Sequence, residues 1–190
     1  MRDTVFVFAR APRLGTVKRR LAAGIGDPAA LRFYRATLAA TLRRLRRDRR
    51  FATVLAITPD RARGPWRQGL PVVPQGSGDL GTRMRRALDR ARRAAVVGSD
   101  IPDLRAEDVA AAFRALGRAE TQIRPATDGG YWLVAAGPRR PDRLFAGVRW
   151  SGPHALSDTL RTCAPCRAAL LTRRLADIDT AADWRRWRGV

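Results

Sequence analysis

Short apolar runs alternate with longer stretches in which apolar residues recur every three or four positions. Thr4-Val-Phe-Val-Phe8 is continuously apolar, the signature of a strand covered on both faces and therefore central in its sheet. Thr53–Thr58, Pro71–Pro74, Ala94–Val97 and Ala168–Thr172 read as further strands, and Thr121–Ala126 and Tyr131–Ala135 as a strand pair around the turn Thr127-Asp128-Gly129-Gly130. Between them, Asp27 opens a helix with Pro28 at its start, running to about Arg47, with Leu31, Tyr34, Leu38, Leu42 and Leu45 as its buried stripe. Other helices are expected from Asp79 to about Arg93, from Asp103 to near Gly117, from Pro153 to about Thr162, and after Thr180 with Trp184 and Trp187 on one side. Trp66, in the loop from Arg61 to Gly69, reads as a packing plug. Strands and helices that alternate around one hairpin predict an α/β protein: a three-layer α/β/α sandwich with a mostly parallel central sheet. At 190 residues, the chain is expected to form one domain, residues 1–190.

Charge complicates this picture. The formal net charge is +21, which invites a nucleic-acid reading. The arginines, however, are spread over nearly every segment outside the strands, and those between Leu38 and Arg50 alternate with Leu and Ala as on a solvated helix face. Few aromatic residues interleave with them, which weakens a stacking platform for single strands. A specific nucleic acid partner is therefore not expected. No apolar run approaches the length of a membrane span, and Met-Arg-Asp leads straight into a strand without a leader pattern, so a cytoplasmic protein is expected.

Candidate chemistry clusters where strands end. Asp100 follows the apolar run Ala94–Val97 and the turn at Gly98, in the region where open α/β sheets place their ligands; the competing reading is a simple turn cap. The loop Ala9–Leu21 carries Arg10, Gly15, Lys18 and Arg20, the ingredients of a phosphate cradle, although Walker spacing is absent. Lys18 is the only lysine among 38 basic residues, which suggests a place where a compact ammonium is wanted rather than a planar fork. Gln75, Gly76, Asp79 and Arg83 form a second glycine-rich turn, read either as a base-reading loop or as an ordinary turn capped by Asp79. Asp128 is either part of a hairpin turn or a carboxylate facing an acceptor. His154, the only histidine, and the Cys163/Cys166 pair read as incidental, the cysteines as reduced. Asp179 and Thr180 have the ordinary reading of a helix cap.

Taken in order, the motifs resemble a known family. Phe8-Ala-Arg-x-Pro-x-x-Gly15-x-x-Lys18-x-Arg20-Leu, Gln75-Gly-x-Gly-Asp79-Leu-Gly81-x-Arg83-Met, Gly98-Ser-Asp100-x-Pro-x-Leu, Asp128-Gly-Gly-Tyr-Trp-Leu and Asp177-Ile-Asp179-Thr180 look like the successive motifs of the DUF2064-type family, which is associated with glycosyl transfer on a GT-A, nucleotide-diphospho-sugar transferase-like fold. The resemblance spans essentially the whole chain. It implies Asp100 at the metal-binding carboxylate position, Asp179 at the position where related nucleotidyltransferases complete the metal site with a C-terminal Asn or Asp, and Mg²⁺ or Mn²⁺ as the ion. It further implies that Ala9, Arg10, Gly15, Lys18, Arg20, Gln75, Gly76, Asp79 and Arg83 surround the nucleotide and its phosphates. Lys18 would also act in catalysis, and Asp128 would be the base toward an acceptor hydroxyl. The expected partners are a nucleotide-sugar, or an NTP, and a small-molecule acceptor; the oligomeric state is left open. The alternative activity is nucleotidyl transfer from an NTP, and the alternative class a basic nucleic-acid-binding protein. Two positions depart from the pattern: Arg19 replaces a small polar residue, and Trp150-Ser151-Gly152 lacks the threonine of a Trp-Ser-Thr motif.

Overall fold

A computed structural model describes residues 2–163, 168–170 and 175–189. Seven strands make one sheet: β1 (Thr4–Arg10), β2 (Ala52–Thr58), β3 (Val72–Pro74), β4 (Ala94–Gly98), β5 (Thr121–Pro125), β6 (Tyr131–Ala136) and β7 (Ala168–Leu170). Their order is β3-β2-β1-β4-β6-β5-β7. All run parallel except β6, which is antiparallel to both β4 and β5. The hairpin expected from the sequence thus inserts its second strand between β4 and the first, so β4 and β5 are not neighbours although they follow one another in the chain.

The helices are α1 (Arg19–Ile25), α2 (Asp27–Arg47), α3 (Leu80–Leu88), α4 (Ala106–Ala115), α5 (Ala155–Cys163) and α6 (Ala181–Arg188). The period of two along β1 divides the core. Val5, Val7 and Ala9 join Leu38, Leu42 and Val109 on the face covered by α2 and α4, whereas Phe6 packs with Met84, Leu88 and Ala155 on the face of α3 and α5. A third, smaller cluster of Leu21, Ala30 and Ile178 fastens α1 to α2 and to the strap before α6. Trp66 packs against the first core face, as a plug does.

Several boundaries differ from the sequence reading, for identifiable reasons. Helix α3 stops at Leu88, short of Arg93, because the Arg140 guanidinium takes up the carbonyls of Leu88, Ala91 and Arg92 and bends the chain toward β4. Helix α4 begins at Ala106 instead of Asp103: the Asp108 carboxylate accepts from Arg105 N at 3.1 Å and sets its first turn. Helix α5 begins at Ala155, so His154 lies ahead of it. Residues 19–21, read as the end of a loop, already belong to α1. Cys166 and residues 171–172 of the expected last strand lie outside the described residues; Cys163 is buried at the end of α5. No helix among the described residues is long and apolar enough to cross a membrane.

Candidate functional site

The carboxyl ends of β1 and β4 open on the same edge of the sheet, and the polar groups gather there. Beyond β1 the chain turns at Gly15 and reaches Lys18, which holds a left-handed backbone (φ 50°) at the N-terminus of α1. That conformation is costly for a side chain without a short polar group. It turns the lysine inward: the side chain is 4% exposed, and Nζ lies 2.6 Å from Asp100 Oδ2 and 2.6 Å from Asp179 Oδ1. Burial works against the Lys18 charge, but the two carboxylates outweigh it and hold the ammonium above the usual lysine range. Arg20, on the solvent side, lies 3.7 Å from Asp179 Oδ2.

Each acid has its own support. Asp100 follows Ser99, whose buried hydroxyl lies 3.2 Å from the Tyr34 hydroxyl; Tyr34 in turn bonds both the N–H and the carbonyl of Arg10 at 2.9 Å. This triangle ties β1, α2 and the end of β4 together beneath the site. Asp179 arrives on an extended strap. Leu175 forms a parallel bridge to Ala126, Ile178 is buried in the α1–α2 cluster, and its neighbours Asp177 and Asp179 are turned toward the cleft. Thr180 then caps α6, accepting from Asp183 N at 3.2 Å while the Asp183 carboxylate accepts from Thr180 N at 2.8 Å. The ordinary cap reading therefore belongs to Thr180 and leaves Asp179 free for the site.

Carboxylate oxygens of Asp100, Asp177 and Asp179 lie within 4.8 Å of one another, an arrangement able to hold a metal ion. Burial, with Asp179 and Asp100 crowding it, pushes the Asp177 carboxyl up to about 6. An all-oxygen, half-buried donor set with excess negative charge suits a hard divalent cation such as Mg²⁺ or Mn²⁺. The sequence reading placed Asp177 in the motif without giving it a role. Its signal was the alternation Asp177-Ile178-Asp179, which puts both acids on one side of an extended segment.

Two clefts meet at these acids. The first, about 460 Å³, runs over the ends of β1 and β2 and is lined by Ala9, Arg10, Lys18, Arg20, Gln75 and Asp100, among others. The second, about 630 Å³, lies over β4 and β6 and includes Asp128, Tyr131, Trp132, Trp150, Asp177 and Asp179. Arg20, Leu80, Asp100 and Asp179 line both, so the carboxylates stand at the junction.

The remaining expected site residues fall differently. Gln75 is buried, and its amide donates to the carbonyls of Ala9 (3.1 Å) and Ala56 (2.9 Å) while accepting from Arg83; its hydrogen bonds hold the cleft floor together. Gly76 N donates to Asp60 Oδ1 at 3.0 Å. Asp79 caps α3 by accepting from Thr82 N at 2.8 Å and also accepts from Trp150 Nε1 at 3.2 Å. Gly15, Gly76, Asp79 and Arg83 are not among the residues lining the first cleft. For the second glycine-rich turn, the geometry therefore favours a cap and support over a base-reading loop. Asp128 is exposed; its Oδ1 accepts from Gly130 N at 2.9 Å, as in an ordinary turn, and the residue also lines the second cleft. Gly129 (φ +87°) packs against Pro153, and its carbonyl accepts from Leu156 N, which fixes this turn to the start of α5.

Residues 41–152 match the family described as "Uncharacterized protein conserved in bacteria (DUF2064)". No functionally curated protein matches the chain. Among solved structures, a Desulfovibrio desulfuricans G20 protein carrying the provisional name nucleotide-diphospho-sugar transferase is 28% identical, with TM-score 0.88 over 97% of this chain and 86% of that one. A cytidylyltransferase from Leptospira borgpetersenii serovar Hardjo-bovis is 15% identical, with TM-score 0.66 over 99% of this chain and 85% of that one. Rv0371c of Mycobacterium tuberculosis H37Rv, in a structure with manganese, is 15% identical, with TM-score 0.52 over 98% and 97%. The last two share the fold alone. The α/β architecture expected from the sequence is thus the nucleotide-diphospho-sugar transferase-like fold.

Proposed function

The chain belongs to the DUF2064 family, and on that premise we propose that it is a metal-dependent transferase acting on a nucleotide-activated donor, moving a sugar from a nucleotide-diphospho-sugar to a small-molecule acceptor. One observation carries the reading: a buried lysine and acids from segments far apart in the chain converge where two clefts meet. The provisional name of the D. desulfuricans relative agrees with it.

In this reading the first cleft takes the nucleotide, and Arg10, Lys18 and Arg20 meet its phosphates. Asp100, Asp177 and Asp179 would hold Mg²⁺ or Mn²⁺, which supplies positive charge to a leaving diphosphate. Lys18 adds a fixed ammonium whose proton the two neighbouring carboxylates keep in place. Asp128, across the second cleft, takes the proton of the acceptor hydroxyl. Gln75 lines the first cleft and holds its floor, and Asp79 and Arg83 support it through the α3 cap and the Arg83–Gln75 hydrogen bond.

Nucleotidyl transfer from an NTP is the second reading. The fold shared with the Leptospira cytidylyltransferase favours it, because the same lysine and acids would serve around an α-phosphate. The test is a thermal-shift screen against UDP-, GDP-, ADP- and CDP-sugars and free NTPs, with and without Mg²⁺ or Mn²⁺. A donor that binds the folded state at about 100 times its Kd adds about 2.7 kcal/mol to stability and raises Tm. A metal-dependent rise with at least one ligand is expected; no rise with any would contradict the proposal. Release of nucleoside diphosphate from the binding donor identifies glycosyl transfer, and release of pyrophosphate from an NTP identifies nucleotidyl transfer.

A further inference from the structure

The second cleft has a polarity opposite to the rest of the molecule. Asp100, Asp128, Asp177 and Asp179 all line it, and Arg20 is the one basic residue among the described residues that line it. The chain as a whole carries a net charge of +21. Lys18 and Arg20 together do not balance the four acids: Lys18 pairs with Asp100 and Asp179, and the Arg20 side chain is 74% exposed, 3.7 Å from Asp179. Nearby arginines are engaged elsewhere. Arg85 bonds the carbonyls of Pro141 and Asp142, Arg86 those of Gln75 and Ser77, and Arg140 those that end α3.

The other walls are apolar and aromatic. The rings of Tyr131 and Trp150 meet edge to face at 6.4 Å, and Phe145 packs on Trp150 from behind at 6.0 Å. The bond from Trp150 Nε1 to Asp79 holds the indole in place. The cleft therefore pairs an aromatic corner with a row of carboxylates.

We infer that the acceptor is a hydroxyl compound with an apolar or ring face and without phosphate or carboxylate, an inference that rests on the transferase reading above. An anionic group entering this cleft would exchange its hydration for neighbouring carboxylates, with Arg20 the cation among the described lining residues and Lys18 already paired with Asp100 and Asp179. A divalent ion held by Asp100, Asp177 and Asp179 would offset part of their charge, but the donor diphosphate that it would bind adds negative charge of its own, and Asp128 lies outside that group. A ring or hydrocarbon face gains by covering the aromatic corner, and its hydroxyls find acceptors in the acids.

The polarity can be read without a known acceptor. Tryptophan fluorescence of the wild type and Trp150→Phe is quenched with caesium, iodide and acrylamide, and the Trp150 contribution is the difference between the two proteins. On a protein this basic, exposed tryptophans favour iodide. At Trp150 caesium is expected to quench about threefold more strongly than iodide, after scaling to acrylamide. Iodide equal to or ahead of caesium there would overturn the inference.

A second measurement needs no variant. Saturation-transfer NMR of the wild type with Mg²⁺ and its binding nucleotide compares glucose with glucose 6-phosphate and glycerol with glycerol 3-phosphate. Stronger transfer to a neutral member supports the inference; transfer to a phosphorylated member at or above its neutral partner overturns it. Quenching requires no nucleotide. A failed thermal-shift screen would thus strike at the transferase reading while leaving the polarity of the cleft measured in its own right.

Discussion

At the scale of single residues, the site turns on how one cation and three acids share a small volume. Lys18 accepts a left-handed backbone and near-complete burial, and its pairing with Asp100 and Asp179 offsets both costs. Asp177 is the strained member. Its carboxyl is pushed up to about 6 by burial, then by Asp179 and Asp100, against about 3.9 in an unfolded chain. The folded state therefore holds this proton more tightly than the unfolded one. The corresponding stability is fully present below about pH 4 and is lost as the pH rises through 6. Asp177→Asn removes the ionised group: in metal-free protein it is expected to gain about 1–3 kcal/mol over the wild type at pH 8 and almost nothing at pH 4. Urea denaturation in EDTA at the two pH values checks this, and an equal difference at both would contradict the assignment. Lys18 and Asp100 were legible in the sequence because one is the only lysine and the other follows a doubly buried strand. The support role of Gln75 was not legible, because it depends on carbonyls of Ala9 and Ala56, 66 and 19 positions away.

At the scale of elements, the strap from Leu175 to Thr180 and the helix that follows it determine whether the acids meet. Helix α6 docks on α1 at Gly24, where an added Cβ would stand 2.5 Å from the Ala181 Cβ. Trp184 packs into the adjoining α1–α2 cluster, and Trp187 meets Phe33 edge to face at 5.6 Å. Gly24→Leu should force α6 away from α1, lower stability by about 1–3 kcal/mol, and weaken Mn²⁺ binding through the displaced strap. Chemical denaturation together with an Mn²⁺ titration tests the two effects; wild-type values in both would show that the strap is not held from α6. The sequence showed the long helix α2 with its observed bounds and the β5–β6 hairpin, since local periodicity and turn residues specify both. It did not show β6 seated between β4 and β5, nor the early end of α3. The first is decided by pairing across the sheet, and the second by Arg140 acting from about fifty residues away.

For the whole molecule, part of the arginine excess clamps the fold. Guanidinium groups from Arg35, Arg44, Arg46, Arg85, Arg86, Arg93 and Arg140 donate to carbonyls at loop and helix ends and so clamp separate segments together. Against that background the two clefts stand out: the first edged by Arg10, Lys18, Arg19 and Arg20, the second by Asp100, Asp128, Asp177 and Asp179. The central claim is that acids from the end of β4 and from the strap before α6 jointly bind one divalent ion with the nucleotide. Electron paramagnetic resonance of free Mn²⁺ measures this directly, with UDP, GDP, ADP or CDP present and the wild type set against Asp100→Asn and Asp179→Asn. The account predicts protein-dependent Mn²⁺ uptake with at least one nucleotide, weakened about tenfold or more by either substitution. Uptake that both variants retain at wild-type affinity would contradict it.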